Sequence, residues 1–147
     1  MTRKLALKES ISSVGVVIRD CLGQVVAALC KPLHARFPAD LTEILALEQG
    51  VLLAQELQLP RVIIESDSLN AIQAILDKDT GNSYGHIIQG ILQASVPFET
   101  CLFKHLHRKF NIMAHELAQH VRKSGSRHLW KGVTPPFVAS FIHFDML

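Results

Sequence analysis

Long hydrophobic runs are absent from this sequence of 147 residues. No apolar stretch approaches the roughly 18 residues that a membrane-spanning helix needs, and the apolar part of MTRKLALKESISS is too short for a signal peptide. We therefore expect an intracellular protein without a membrane partner. No motif in the sequence favours the nucleus over the cytoplasm.

Cysteine is also scarce, and its spacing matches no metal motif. Cys21, Cys30 and Cys101 are odd in number, far apart and never in a C-x-x-C arrangement. A zinc site would need ligands that lie closer together in the sequence. We predict buried thiols in a reducing compartment and assign no chemistry to them.

The net charge is only +2, but basic residues are concentrated towards the C-terminus. Between Lys104 and Lys131 there are seven Lys or Arg side chains and one acid, Glu116. Such a segment is typical of a surface that faces a polyanion, and equally of a solvated basic surface with a loose tail.

A hydrophobic fraction of 48% with 19% charged residues is sufficient for the core of one soluble globular domain. We expect residues 1–124 to form this domain and residues 125–147 to form a C-terminal tail. The order of predicted elements is ββ-α-β-α-α-β-α, with KLALKES as a candidate additional first strand. This alternation favours an α/β layer structure with a mixed sheet.

Individual segments support this order. SVGVVIRD and QVVAALC predict a hairpin, and LTEILALEQGVLLAQELQL predicts a helix against a sheet. The apolar middle of RVIIE predicts a central strand covered on both faces. Ser83 is predicted to cap one of the later helices, and Asn111 is predicted to open the last main helix.

Two acidic positions are candidates for chemistry. Asp67 lies in ESDS, directly after the predicted strand RVIIE, where α/β proteins place their ligands; it is either the N-cap of the next helix or a catalytic acid. Glu43 falls in one helical row with Leu47, Gly50 and Ala54, beside the apolar face. It is either a first-turn acid that the helix dipole favours or a ligand of a cation shared with Asp67.

Segments spanning nearly the whole chain carry a family resemblance, in order and with similar spacings. They are VGVVIRDCLGQVVAALCKPL, LTEILALEQGVLLAQELQL, VIIESDSLNAIQAI, FKHLHRKFNIMAHELAQ and PPFVASFIHFD. Together they resemble the plant-type ribonuclease H-like domain, which is the reverse-transcriptase-associated branch of the RNase H family.

The resemblance implies a three-layer α/β fold with a five-stranded mixed sheet in the order 3-2-1-4-5, whose first strand is degraded here. It also implies catalysis by acidic residues that hold two divalent metals, Mg²⁺ or Mn²⁺. Glu43 matches the family's helix glutamate, and Asp67 matches the aspartate that ends the central strand.

Two positions depart from the family pattern. The first-strand aspartate falls on Lys8, where an ammonium group would repel the metals; the adjacent Glu9 points to the opposite face of a regular strand. The fourth family acid falls on His115, which binds Mn²⁺ better than Mg²⁺ or relays a proton near pH 7, or else is a residue of the helix surface.

The basic loop before the last helix is the candidate nucleic-acid contact. Lys104, His107, Arg108 and Lys109 suit the phosphate backbone, which they would position without reading its sequence. His105 and His107 are otherwise polar loop residues.

We therefore expect a monomeric, metal-dependent endonuclease that cuts the RNA strand of an RNA–DNA hybrid, with Glu43 and Asp67 as metal ligands and His115 auxiliary. The alternative is a nucleic-acid-binding module without turnover, a truncated remnant of a retroelement-derived gene, which Lys8 favours.

Overall fold

The computed structural model describes residues 12–19, 24–33, 35–66, 68–105, 107, 112, 116–120 and 126–131. The chain divides into two compact units, which are Met1–Pro38 with Lys109–Leu147, and Ala39–Arg108. Among the described residues, no helix is both long and apolar enough to cross a bilayer.

The first unit is built on an antiparallel hairpin. Strand β1 (Ser13–Arg19) pairs with β2 (Val25–Pro32), with the register irregular between Ile18 and Arg19. The predicted hairpin is confirmed. Strand β2 continues to Pro32, where the lack of an amide proton is tolerated because the strand ends there.

A third strand, β5 (His128–Lys131), pairs antiparallel with the other edge of β2. It places Trp130 opposite Ala28 and His128 opposite Cys30. Four residues of the segment predicted to be a tail thus belong to a sheet. The domain boundary predicted at residue 124 stays a prediction.

Helical residues 116–120 pack on this sheet. Leu117 is fully buried with Ala28 and Cys30, and Trp130 packs against this cluster. The hydroxyl of Ser13 donates a hydrogen bond of 2.8 Å to the carbonyl of Ala118, so this buried polar group is satisfied. Asn111 and the KLALKES segment lie outside the described residues.

The second unit has the order α1 (Ala39–Glu56), β3 (Arg61–Ser66), α2 (Leu69–Leu76), α3 (Gly85–Ser95) and β4 (Thr100–His105). Strands β3 and β4 pair in parallel along their whole length. All three helices contact one another, and α1 also packs against β3. Apolar residues of α1, β3, α2 and α3 form the core of this unit: Ile44, Leu47, Val51, Leu53, Ala54, Val62, Ile64, Ala71, Ile72, Ile75, Ile88 and Ile91.

The prediction that β3 is buried on both faces is wrong, because one face of the strand is exposed in the structure. Val62 and Ile64 are buried, whereas Ile63 is 55% exposed and its partner on β4, Leu102, is 50% exposed. A continuous apolar run therefore behaves as an alternating strand, because the helices of this unit cover only one face.

The prediction that Ser83 caps a helix is also wrong. The N-cap of α3 is Tyr84, whose side chain makes no capping hydrogen bond. Gly85, the first residue of α3, lies so close to the Thr80 carbonyl that a Cβ atom on it would overlap that oxygen. The hydrogen bonds at this helix start go to Asn82 instead of Ser83: its Oδ1 accepts one of 2.8 Å from the Tyr84 amide, and its carbonyl accepts one of 3.0 Å from the Gly85 amide.

Candidate functional site

The carboxyl ends of β3 and β4 lie side by side. Their parallel register pairs Glu65 with Lys104 and Ser66 with His105. This edge is where ligands bind in α/β sheets, because the loops that follow neighbouring parallel strands converge there. The ESDS segment and the basic FKHLH segment are thus brought together by strand pairing.

Ser66 and Ser68 determine how the chain leaves β3. The amide of Ser68 donates a hydrogen bond of 3.1 Å to the Ser66 hydroxyl, and Ser66 is buried. Ser68 is the N-cap of α2, and its own hydroxyl accepts a bond of 3.2 Å from the amide of Ala71. The capping role that the sequence left open for Asp67 therefore belongs to Ser68.

Sequence reasoning overlooked Ser68, although a signal was present. A serine immediately before the first apolar residue of a helical pattern is a standard start signal. Asp67, the residue before it, is also a plausible N-cap, because an acid is favoured at the N-terminus of a helix.

Glu43 lies near the N-terminus of α1 and is partly buried. The helical row predicted for it is confirmed, since Leu47, Gly50 and Ala54 are all buried. Glu43 thus occupies the start of the buried face of α1, where a carboxylate needs polar partners. Glu43 takes part in at least one interaction within the structure.

A tyrosine connects the N-terminal turn of α1 to α3. The Tyr84 hydroxyl donates a hydrogen bond of 3.4 Å to Oδ1 of Asp40, which also accepts a bond of 2.9 Å from the Leu41 amide. Partial burial raises the pKa of Tyr84, and the negative charge and hydrogen bond of Asp40 raise it further. This contact restrains the end of α1 that carries Glu43.

The predicted site residues divide into two groups. Glu43, Lys104 and His107 belong to the described part of the chain, and Lys104 and His107 are exposed. Asp67, His115, Arg108 and Lys109 lie outside the described residues, as does Lys8. Within the described ranges, no group of three or more His, Cys, Asp or Glu side chains is arranged to hold a metal ion.

The electrostatics of the strand ends are mixed. Lys104 lies on the same side of the sheet as its partner Glu65, because paired residues of parallel strands face the same way. Both side chains are exposed, so their charges are screened by solvent. An approaching phosphate would meet one cation with an acid beside it.

The comparisons with known proteins agree with this architecture. The model of the reverse transcriptase-like family matches residues 5–121, which is most of the chain. The chain belongs to the reverse transcriptase-like family. The match includes the hairpin, α1, the carboxyl end of β3 with Ser66 and Ser68, and the helical residues 116–120.

Two solved structures have the same fold as this reverse transcriptase-like domain. One is the N-terminal RNase H domain of rv2228c from Mycobacterium tuberculosis, in a fusion with maltose-binding protein, with a TM-score of 0.69 at 14% identity, covering 78% of this chain and 84% of that chain. The other is RNase H1 from the halophilic archaeon Halobacterium salinarum NRC-1, with a TM-score of 0.68 at 17% identity, covering 78% and 87%. A search of curated proteins found no match.

The predicted family and the α/β, RNase H-like fold are therefore confirmed. Strands β1, β2, β3 and β4 correspond to the family's strands 2, 3, 4 and 5, because the family's strand 1 falls on the KLALKES segment. The pairs β1–β2 and β3–β4 therefore agree with the family order 3-2-1-4-5. The complete order stays a prediction, because its expected middle strand lies outside the described residues. Strand β5 is an addition to that order.

Proposed function

We propose that this domain binds an RNA–DNA hybrid and hydrolyses its RNA strand with divalent cations, Mg²⁺ or Mn²⁺, that Glu43 and Asp67 hold. The observation that carries the proposal is the N-cap of α2. Because Ser68 satisfies the amide of Ala71, the helix start does not require the carboxylate at position 67. An acid next to a residue that already caps the helix, at the carboxyl end of a strand, suits a ligand-binding role.

The donor types fit hard divalent cations. Carboxylate oxygens are the protein ligands that Mg²⁺ prefers, and Glu43 presents one at the edge of a buried helix face. When bound, a pair of such cations would activate a water molecule and stabilise the leaving 3′ oxygen of the phosphodiester. Both Glu43 and Asp67 belong to the unit Ala39–Arg108.

The remaining site residues have supporting roles in this proposal. Lys104 and His107 are exposed next to the strand ends, and with Arg108 and Lys109 they would neutralise phosphates and position the duplex. His115 would hold or relay a proton near neutral pH. The ribose 2′-hydroxyl groups of the hybrid would distinguish it from DNA. We also propose that the domain acts as a monomer.

A second candidate function rests on one residue. Lys8 stands where the family has its first-strand aspartate, and an ammonium group there opposes cation binding. The same fold would then bind nucleic acid without cutting it, as expected for a retroelement-derived remnant of plant type.

A cleavage assay distinguishes the two functions. Purified protein is incubated with an RNA–DNA hybrid labelled on the RNA strand, in Mg²⁺ or in Mn²⁺, together with Asp67→Asn, Glu43→Gln and Lys8→Asp. We expect Asp67→Asn and Glu43→Gln each to lower the rate at least about a hundredfold, since metal ligands contribute several kcal/mol to such reactions. Matched controls are Glu65→Gln, two residues before Asp67, and Glu48→Gln, on the same helix as Glu43; neither should change the rate.

The possible results separate clearly. If the unaltered chain binds the hybrid but only Lys8→Asp cuts it, the binding module is correct. If Glu65→Gln lowers the rate as much as Asp67→Asn, the assignment of the ligands is wrong. A chain that neither binds nor cuts the hybrid would contradict both functions.

A further inference from the structure

Three ring side chains meet at the outer edge of the first unit. The ring centroids of His120 and His128 are 5.5 Å apart, and Trp130 stacks on His128 at 5.6 Å with an interplanar angle of 23°. His120 lies 6.3 Å from Trp130. We name these three residues the edge cluster. His120 comes from the helical residues 116–120, whereas His128 and Trp130 come from β5.

The edge cluster joins β5 to the rest of its unit. Strand β5 has four residues and, in the described part of the sheet, pairs only with β2. Trp130 packs on the buried group that contains Leu117, and the backbone of His128 is hydrogen-bonded to the thiol of Cys30. Short edge strands with one pairing partner are among the less stable parts of a fold. The ring contacts add to the pairing with β2 in holding β5 in place.

Several charged groups lie on the elements that carry the two histidines or pack against them. The hydroxyl of Ser126 lies 3.1 Å from Nε2 of His128. The other titratable and charged groups on the described parts of the elements packed here are Arg19 on β1, Cys30 and Lys31 on β2, Glu116 on the helix, and Arg127 and Lys131 at the two ends of β5. Alternation along the strands turns Lys31 and Lys131 to the side of the sheet opposite His128, and the carboxylate of Glu116 lies one helical turn before His120.

Protonation of the two rings has different consequences. One imidazolium at His128 lies against the indole of Trp130, which attracts a cation. A second imidazolium at His120 would stand 5.5 Å from the first, ring centre to ring centre. Two like charges at this distance repel across the contact that holds β5.

We propose that His120 and His128 form an acid-sensitive latch, in which protonation of both rings releases β5 from β2. Its release uncovers Cys30 and the outer edge of β2. This property is independent of the function proposed above, because no residue of the edge cluster belongs to that site.

Two probes in the chain report the two steps separately. Trp130 is the single tryptophan, so its fluorescence reports protonation of the stacked His128. Cys30 is completely buried and lies opposite His128, so its labelling by a pyridyl disulfide reports the departure of β5. Labelling is followed by mass spectrometry of the Cys30 peptide, and each rate is normalised to that of the unfolded chain at the same pH. Cys101, in the other unit, is the internal control for global unfolding.

As the pH falls through the histidine range, we expect the fluorescence of the unaltered chain to decrease. Labelling of Cys30 should rise about tenfold or more, because the like-charge repulsion makes local opening of β5 more frequent. His120→Gln should keep the loss of fluorescence but not the rise in labelling, and His128→Gln should lose both. His86→Gln, an exposed histidine of the other unit, should behave as the unaltered chain.

Circular dichroism at neutral pH confirms that each variant is folded, and His120→Gln and His128→Gln test the same latch independently. The proposal is overturned if labelling of Cys30 rises in His120→Gln as much as in the unaltered chain. A loss of fluorescence without any rise in labelling would also overturn it, because β5 would then stay in place.

Discussion

The amide of Ser68 donates a hydrogen bond of 3.1 Å to the hydroxyl of Ser66, and these two residues flank Asp67 in the sequence. The bond closes the turn between β3 and α2, and the cap bond from Ala71 to Ser68 completes the start of the helix. The hydroxyl groups of Ser66 and Ser68 thus organise the exit from the strand.

Replacing Ser68 with alanine tests this organisation. Loss of the cap bond should lower the free energy of unfolding by about 0.5–2 kcal/mol, measured by urea denaturation. Ser68→Asp, which can still cap, should recover most of the loss. Ser83→Ala is the matched control, because no side-chain cap is present at α3, and it should change stability by less than about 0.5 kcal/mol. Equal losses at the two serines would contradict the capping assignment.

Gly85 and Gly90 provide a second matched pair, on one helix. A Cβ atom at Gly85 would overlap the Thr80 carbonyl oxygen, whereas nothing lies within 4 Å of one at Gly90. Gly85→Ala should therefore destabilise the fold by about 1–3 kcal/mol, because the loop must move. Gly90→Ala should stabilise it by about 0.5–1 kcal/mol, because alanine loses less backbone entropy in a helix. Thermal unfolding of both variants measures the difference, and a stable Gly85→Ala would show that the contact with Thr80 is not close.

Ile63 and Ile64 test which face of β3 is covered. Ile64 is 9% exposed and Ile63 is 55% exposed. Ile64→Ala should cost about 2–5 kcal/mol of unfolding free energy, since it leaves a cavity. Ile63→Ala should change it by less than about 1 kcal/mol. Equal costs in denaturant titrations would mean that the second face of the strand is covered as well.

Removal of Lys104 should weaken nucleic-acid binding in a salt-dependent way. If its ammonium group contacts a phosphate, Lys104→Gln lowers the slope of log K against log salt by about 1. Arg61→Gln is the matched control, because Arg61 lies at the opposite end of β3 and pairs with Glu99 at 3.8 Å. Binding isotherms of a labelled hybrid at several salt concentrations give both slopes. An equal decrease for Arg61→Gln would place the nucleic acid elsewhere.

The thiols of Cys30 and Cys101 should make stability depend on alkaline pH. Burial raises the pKa of each thiol above its ordinary value of 9.0, and for Cys30 a backbone hydrogen bond from His128 partly offsets this. Above that pH a thiol ionises in the unfolded chain before it ionises in the folded chain, so stability is full below pH 9.0 and falls as the pH rises further.

Urea denaturation across this range, compared between the unaltered chain and a Cys30→Ala, Cys101→Ala double variant, isolates the effect. The raised pKa of Tyr84 acts in the same direction and is common to both proteins, so it cancels in the comparison. Parallel pH profiles for the two proteins would show that neither thiol contributes.

Some features of this protein follow from local sequence. The sequence predicted the order of strands and helices, the hairpin, and the buried row of Leu47, Gly50 and Ala54 that follows Glu43 on α1. These features depend on side-chain periodicity and turn residues, which act over a few positions. The family followed from motifs spread over the whole chain, and it is confirmed. The roles of Glu43, Asp67, His115, Lys104, His107, Arg108 and Lys109 stay proposals.

Tertiary structure alone decided the rest. Whether Ile63 is covered depends on which helices reach that side of β3. Whether Ser83 caps a helix depends on how the preceding loop folds, which here brings Asn82 to the amides of Tyr84 and Gly85. His120 contacts His128 only because β5 pairs with β2. The four residues of β5 are too few to predict this pairing from their sequence. The physical reason is the same in each case. Side-chain periodicity depends on residues that are close in the sequence, whereas burial depends on which distant segments pack against a residue in the folded chain.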